Sequence, residues 1–222
     1  VLTKFLLEKA GKVVSIEIDT RLKEVLDYTL SEYDNFEFVQ SDALKIDLKK
    51  LIEEKFTQKK IVVVANLPYY VTTPIITKLL ESDLDLDSIT IMVQKEVAQR
   101  LVADEKSKDN SSISMFVKYY ADANIAFNVS RNVFVPAPNV DSAVVNLKLK
   151  KERFEYEKTM FKLIKNGFEN RRKTILNSFC KSGIEKEKII LVLEKLNIDT
   201  RTRAEKLSLE DFKNIAREYE KL

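Results

Sequence analysis

Residues 61–70 read IVVVANLPYY, an apolar run that ends abruptly in an amide, a proline and two aromatic rings. Those residue types at that spacing suit one chemistry, the activation of an exocyclic amine such as that of adenine. Such an amine is a poor nucleophile because its lone pair is delocalised into the ring. Two acceptors aimed at its two hydrogens draw the nitrogen toward tetrahedral geometry and free that lone pair. The side-chain oxygen of Asn66 can be one acceptor and the backbone carbonyl of Leu67 the other. Pro68 fixes φ and stiffens the turn. Tyr69 then offers a ring on which a base taken out of its stack can lie. A strand end followed by an ordinary turn, with both tyrosines in the core, is the structural alternative.

Two carboxylates stand in comparable places: Glu17 ends VVSIE, and Asp42 follows FVQS. In an open α/β sheet, ligands bind beyond the carboxyl ends of the strands. A strand-end acid can accept from both ribose hydroxyls of a nucleoside cofactor, and an aspartate after the next strand from an adenine amine. A strand-end acid by itself is more often a turn or a cap; with the Asn-Leu-Pro-Tyr turn the two form a constellation.

The chemistry must work without histidine, which the chain lacks entirely, and with a single cysteine. A histidine base and most zinc or iron sites are thereby excluded, so no metal is expected. Cys180 reads as a small apolar residue in a reducing compartment, and the protein as cytoplasmic. No run reaches the roughly 18 apolar residues of a membrane span, and no signal-peptide pattern opens the chain.

The elements that must position these groups follow from periodicity. Residues 12–19, 36–40, 60–66 and 88–94 read as short β-branched strands, with helical patterns over 20–33, 43–56 and 73–82. That alternation predicts βαβ units, a parallel doubly wound sheet and an α/β fold. Residues 104–112 read as an exposed loop; 123–129 and 140–150 alternate like an antiparallel pair at the sheet edge. From about residue 151 the strand signal stops and four amphipathic helices follow, the last with a Ser208/Asp211 capping signal. Two domains are expected, 1–150 and 151–222. Residues 1–150 carry a net charge of about −2 and 151–222 about +5, together the +3 of the chain. A basic module behind a near-neutral one suits an anionic partner such as RNA. Within it, Arg171, Arg172 and Lys173 are read as opening a helix, with Arg201 and Arg203 nearby in sequence. Phosphate binding is one reading of this cluster, and a solvated helix start the other.

Five ordered motifs, NLPYYVTTPII, IMVQKEVAQRL, FVPAPNVDSAVV, RRKTILNSF and RAEKLSLEDF, together resemble the bacterial small-subunit rRNA adenine dimethyltransferases across essentially the whole chain. The resemblance implies a Rossmann-like methyltransferase domain over 1–150 and a small all-helical rRNA-docking domain over 151–222. It implies S-adenosyl-L-methionine as methyl donor and N6,N6-dimethylation of two adjacent adenosines near the 3′ end of 16S rRNA. The partner would be a pre-small ribosomal subunit, met by a monomer. Carried over, Glu17 would bind the ribose, Asp42 and Ala43 the cofactor adenine, and Asn66 would face both cofactor and target. Tyr69 and Phe134 would be the stacking rings, unless Phe134 is a core residue.

Two departures stand out. Members carry a Gly-Pro-Gly type turn just before the counterpart of Leu2-Thr3, and it is not among these 222 residues. Weak cofactor binding by these residues alone is the expectation. Asn110-Ser111 also stand where relatives often have Tyr-Gly. The rival readings are a large-subunit rRNA adenine methylase of the macrolide-resistance type, whose turn more often reads Asn-Ile-Pro-Tyr, and a non-catalytic ribosome-assembly factor.

Overall fold

The computed structural model describes residues 2–57, 60–105, 107–181 and 183–222. The chain divides into two compact units, residues 1–61 with 70–85, and residues 62–69 with 86–222.

In the first unit, helix α1 (Leu2–Leu7) precedes strand β1 (Val13–Glu17), α2 (Leu22–Thr29), β2 (Phe36–Gln40) and α3 (Leu48–Lys55), and α4 (Thr72–Glu81) completes it. β1 and β2 pair in parallel with Glu17 opposite Gln40, as a βαβ crossover requires. The Asn35 side-chain amide donates to the carbonyls of Leu7 and Ala10, at 3.0 and 2.9 Å. It thus satisfies the last carbonyl of α1 and one in the turn that follows it. α3 starts five residues later than the periodicity suggests. Asp47 accepts from the Lys50 backbone N–H at 3.0 Å and caps the helix there.

The second unit is built on a mixed sheet in the order β3–β4–β6–β5, with β3 Ile61–Asn66, β4 Leu86–Gln94, β5 Ala121–Val129 and β6 Ser142–Leu149. β6 runs antiparallel to both neighbours, which is the antiparallel pair expected from 123–129 and 140–150. Alternate residues of β4 (Ile89, Ile91, Val93) and β6 (Ala143, Val145, Leu147) are fully buried.

After β4 come α5 (Lys95–Leu101) and α6 (Ser112–Tyr120), the second of which the sequence reading left unassigned. Its SISMFVKYY is rich in β-branched and aromatic residues, which are weak helix formers. Ser111 and Ser114 close a reciprocal capping box that carries no acidic signature, and Met115 and Tyr119, four apart, bury one face. The segment 104–112 is also less exposed than its polarity suggests. Asn110 is 1% exposed and donates to the Glu105 carbonyl at 2.9 Å, closing the loop.

Four helices follow, as expected: α7 (Glu157–Glu169), α8 (Ile175–Lys181), α9 (Lys186–Lys195) and α10 (Leu209–Glu220). Ser208 and Asp211 form the anticipated cap of α10. Met160, Leu163, Ile175, Phe179, Ile189 and Phe212 make a solid core among them. Gly167 is required there, since a Cβ would lie 2.8 Å from that of Ala204. These helices lie in the same compact unit as the four-stranded sheet. The Tyr119 and Tyr120 hydroxyls both donate to the Glu157 carboxylate, at 2.7 and 2.5 Å, and Glu105 accepts from the Leu209 backbone N–H at 2.9 Å.

Candidate active site

β3 delivers Asn66 to its carboxyl end, where the backbone leaves the sheet and turns through Leu67 and Pro68 into a short 3-10 turn beginning at Tyr69. Leu67 is buried and pins the turn, whereas Asn66 is exposed. The Asn66 amide makes no hydrogen bond to any described residue, so both its polar atoms are available to a ligand. Tyr69 is neither a core residue nor loose. Its hydroxyl lies 3.0 Å from the Ser142 hydroxyl, and the residue remains 38% exposed. Ser142 itself is completely buried at the start of β6.

The turn lines a shallow concavity of about 310 Å³ together with Met92 of β4 and Phe134, Pro136 and Pro138 of the loop between β5 and β6. That loop is held at its base. Asp141 accepts from the Arg131 backbone N–H at 3.0 Å, while the Asp141 carbonyl accepts from Lys95 N–H at 3.0 Å. Phe134 is extended (φ −100°, ψ 147°) and half-buried, with its ring in the pocket wall. Two rings, three prolines, a methionine and an amide with no partner among the described residues describe a slot for a flat heteroaromatic with a polar edge. Sequence reasoning missed Ser142, Met92, Pro136 and Pro138. Ser142 alone carried a signal, as a polar residue in the otherwise apolar, alternating SAVV segment, where a buried hydroxyl needs a partner.

The first unit presents its own acidic pair. The Glu17 carboxylate accepts from the backbone N–H groups of Ile18 and Asp19 through one oxygen, at 2.8 and 3.0 Å. Asp42 accepts from Leu44 N–H at 2.8 Å, also through one oxygen, with Lys45 3.9 Å from the other. Ala43 lies in the same turn. Each carboxylate is thus oriented by its own turn and keeps an oxygen for a ligand, at the carboxyl ends of adjacent parallel strands. That arrangement fits the hydroxyls and amine of a nucleoside. Just beyond, the Arg21 side chain hydrogen-bonds Asp19 and holds that carboxyl down to about 2, so Asp19 is already committed.

A family model described as ribosomal RNA adenine dimethylase matches residues 1–221. The chain belongs to the ribosomal RNA adenine dimethylase family. Among the relatives of this dimethylase is the ribosomal RNA small subunit methyltransferase A of Alkaliphilus metalliredigens strain QYMF. It is 43% identical over 222 residues, covering 98% of this chain and 77% of the relative. A dimethyladenosine transferase from Plasmodium falciparum superimposes with a TM-score of 0.81 at 29% identity, over 99% of this chain and 86% of that one. The 23S rRNA methyltransferase ErmE gives a TM-score of 0.73 at 22% identity, over 99% and 86%, a likeness of fold alone. The α/β methyltransferase fold is therefore shared by dimethylases and by their large-subunit counterparts.

One sequence reading of this dimethylase needs correction. Arg171, Arg172 and Lys173 do not begin a helix; they occupy the turn between α7 and α8. Arg171 is spent on structure, donating to the Asn110 carbonyl at 2.8 Å and lying 3.9 Å from Glu205. Arg201 is held by Asp199, whose carboxyl that hydrogen bond keeps below its usual range. Arg172, Lys173 and Arg203 form no ion pair among the described residues and are exposed.

Proposed function

We infer that the protein dimethylates adenosine at N6 in small-subunit ribosomal RNA with S-adenosyl-L-methionine, and that the Asn66–Tyr69 turn is its active site. The observation that carries this is the Asn66 amide, exposed and without a partner among the described residues, in a slot also lined by Tyr69 and Phe134. The target adenine enters between the rings. Its N6 hydrogens are taken by the Asn66 side-chain oxygen and the Leu67 carbonyl, so the nitrogen lone pair points away from the ring plane. S-adenosylmethionine, when bound, supplies an already electrophilic sulfonium methyl, which is why neither metal nor histidine is needed. Glu17 and Asp42, with Ala43 beside them, hold its ribose and adenine. After each transfer the surplus N6 proton leaves for water through the open mouth of the slot. The donor orientation that two acceptors impose serves the first transfer most directly; the monomethylated amine keeps one hydrogen for one acceptor.

The test is methyl incorporation into undermethylated ribosomal subunits by the protein carrying the family's Gly-Pro-Gly turn ahead of Leu2. N6,N6-dimethyladenosine is expected in 16S rRNA. Label confined to 23S rRNA would overturn the assignment, and cofactor binding without any transfer would favour a bare assembly factor.

The C-terminal helices supply RNA affinity through phosphate contacts, which position the substrate without reading its sequence. The partner is a small-subunit particle in assembly, met by a single copy of the chain. Arg172, Lys173 and Arg203 are the groups left for this task, and the two arginines are the ones to change. Changing both to glutamate should flatten the dependence of log K on log salt by about one to two in slope, one per lost phosphate contact. Filter binding across a salt series measures it. Arg171→Glu should instead lower the melting temperature, because it abandons the Asn110 carbonyl.

Tyr69 and Ser142 make a further expectation. Tyr69→Phe keeps the stacking face but leaves the buried Ser142 hydroxyl without this partner, a loss of about 1–3 kcal/mol in stability or ring positioning. KM for rRNA should rise several-fold with kcat little changed, and Ser142→Ala added to Tyr69→Phe should cost little more. Strictly additive effects would mean that the two hydroxyls do not act as a pair.

A further inference from the structure

The loop that brings Phe134, Pro136 and Pro138 to the slot has little to hold it from within, since neither proline has a backbone N–H to donate. It is held at its neck instead, by hydrogen bonds in series. The Asp141 carboxylate accepts from the Arg131 backbone N–H at 3.0 Å, and the Arg131 carbonyl in turn accepts from the Phe134 N–H at 3.3 Å. The Arg131 guanidinium donates across the neck to the Asn139 carbonyl, also at 3.3 Å. All three slot residues lie between Arg131 and Asn139 in sequence. Asp141 is itself fixed by the sheet. Its carbonyl accepts from the Lys95 N–H at 3.0 Å, and Ser142, the next residue, pairs with Gln94 of β4. The hydroxyl of the same Ser142 lies 3.0 Å from that of Tyr69. Two consecutive residues where β6 begins therefore hold the two aromatic rings of the slot.

We propose that Asp141 is a positioning residue for methyl transfer: through Arg131, its carboxylate sets the Phe134 ring relative to Tyr69 before a base arrives. It touches neither base nor cofactor. An exposed hydrogen bond at a loop neck adds little to global stability, because water replaces it when it breaks. What it fixes is where Phe134 stands. A wall already in place spares the entropy of ordering a loop on each encounter. It also keeps the base from tilting away from the Asn66 and Leu67 acceptors. The role in transfer rests on the reading of the slot as the target-base site; the hold of Asp141 on the ring does not.

Two measurements test it. The chain has no tryptophan, so Phe134→Trp gives a single indole at this wall of the slot. In the 222-residue chain, Asp141→Ala added to Phe134→Trp should lower the fluorescence anisotropy of that indole and leave the melting temperature nearly unchanged. Asp141→Asn keeps an acceptor for the Arg131 N–H and should preserve the anisotropy. No change in the alanine variant would overturn the tether, as would an equal loss in the asparagine variant. The second measurement is kcat/KM for small-subunit rRNA in the protein carrying the family's glycine turn. Asp141→Ala should lower it about tenfold, within the roughly 10²-fold that a misplacement of about 1 Å can cost. Asp141→Asn should recover most of that loss. Phe134→Ala should cost at least as much, and adding Asp141→Ala to it should cost nothing further. A residue that acts through the ring is silent once the ring is gone. Additive losses would overturn the proposal. If the indole loosens but Phe134→Ala itself leaves transfer unchanged, the target-base reading of the slot fails, and the role in transfer with it.

Discussion

Asn66→Ala is expected to lower methyl transfer by a factor on the order of 10² to 10³ while leaving melting temperature and subunit binding nearly unchanged, by analogy with loss of one positioned oxyanion-hole donor. The structure supplies the reason that the two effects separate. The side chain is exposed and makes no hydrogen bond to a described residue, so its removal opens no cavity and orphans no partner. What it loses is one of the two acceptors proposed to hold the N6 amine. The Leu67 carbonyl remains, and with it a residual rate. Asn66→Asp retains an acceptor but adds a charge, and should fall between the two. The measurement is methyl incorporation under single-turnover conditions, beside melting and subunit binding on the same preparations, in the protein carrying the family's glycine turn. Normal transfer by Asn66→Ala would make the turn a structural device.

Phe212→Ala should remove about 3–5 kcal/mol of stability, the usual cost of deleting a buried phenylalanine ring. That is a large part of the 5–15 kcal/mol that typically holds a domain together. The ring is wholly buried, its centroid is 6.3 Å from that of Phe168, and it faces Gly167, which is too tightly packed against Ala204 to let the helices collapse into the vacancy. Urea unfolding should show the helices and the four-stranded sheet losing stability together. The Glu157 carboxylate accepts from Tyr119 and Tyr120, and burial holds the Tyr119 hydroxyl up to about 12, so that it remains a donor throughout the neutral range. Two separated transitions, with only the helical one shifted, would instead support a folding boundary at residue 150.

That proposed boundary shows what a local reading of the sequence can and cannot reach. Composition changes at about residue 151, because strands cease and basic residues accumulate, and four helices do follow. Which layer those helices pack against depends on long-range contacts, such as Glu105 with Leu209, that leave no local signature. α6 stayed hidden for a related reason. Its residues disfavour a helix locally, and burial of Met115 and Tyr119 in the tertiary structure overrides that preference.

The sequence by itself determined which residues are candidates for the chemistry proposed above. IVVVANLPYY carries a strand, its stop and an exposed amide in consecutive positions, and local geometry suffices to place them. Glu17 and Asp42 were legible in the same way, since each carboxylate is oriented by the turn that contains it. Only the tertiary structure decided what surrounds them. It brought Ser142, 73 residues away in sequence, beneath the Tyr69 hydroxyl, and placed Phe134 across the slot from the turn. It also divided five similar cations into two that hold loops together and three that form no ion pair among the described residues. A charge read along the chain has no partner until folding supplies one, and the carbonyl of Asn110 and the carboxylate of Asp199 claimed theirs through geometry that residue types alone do not specify.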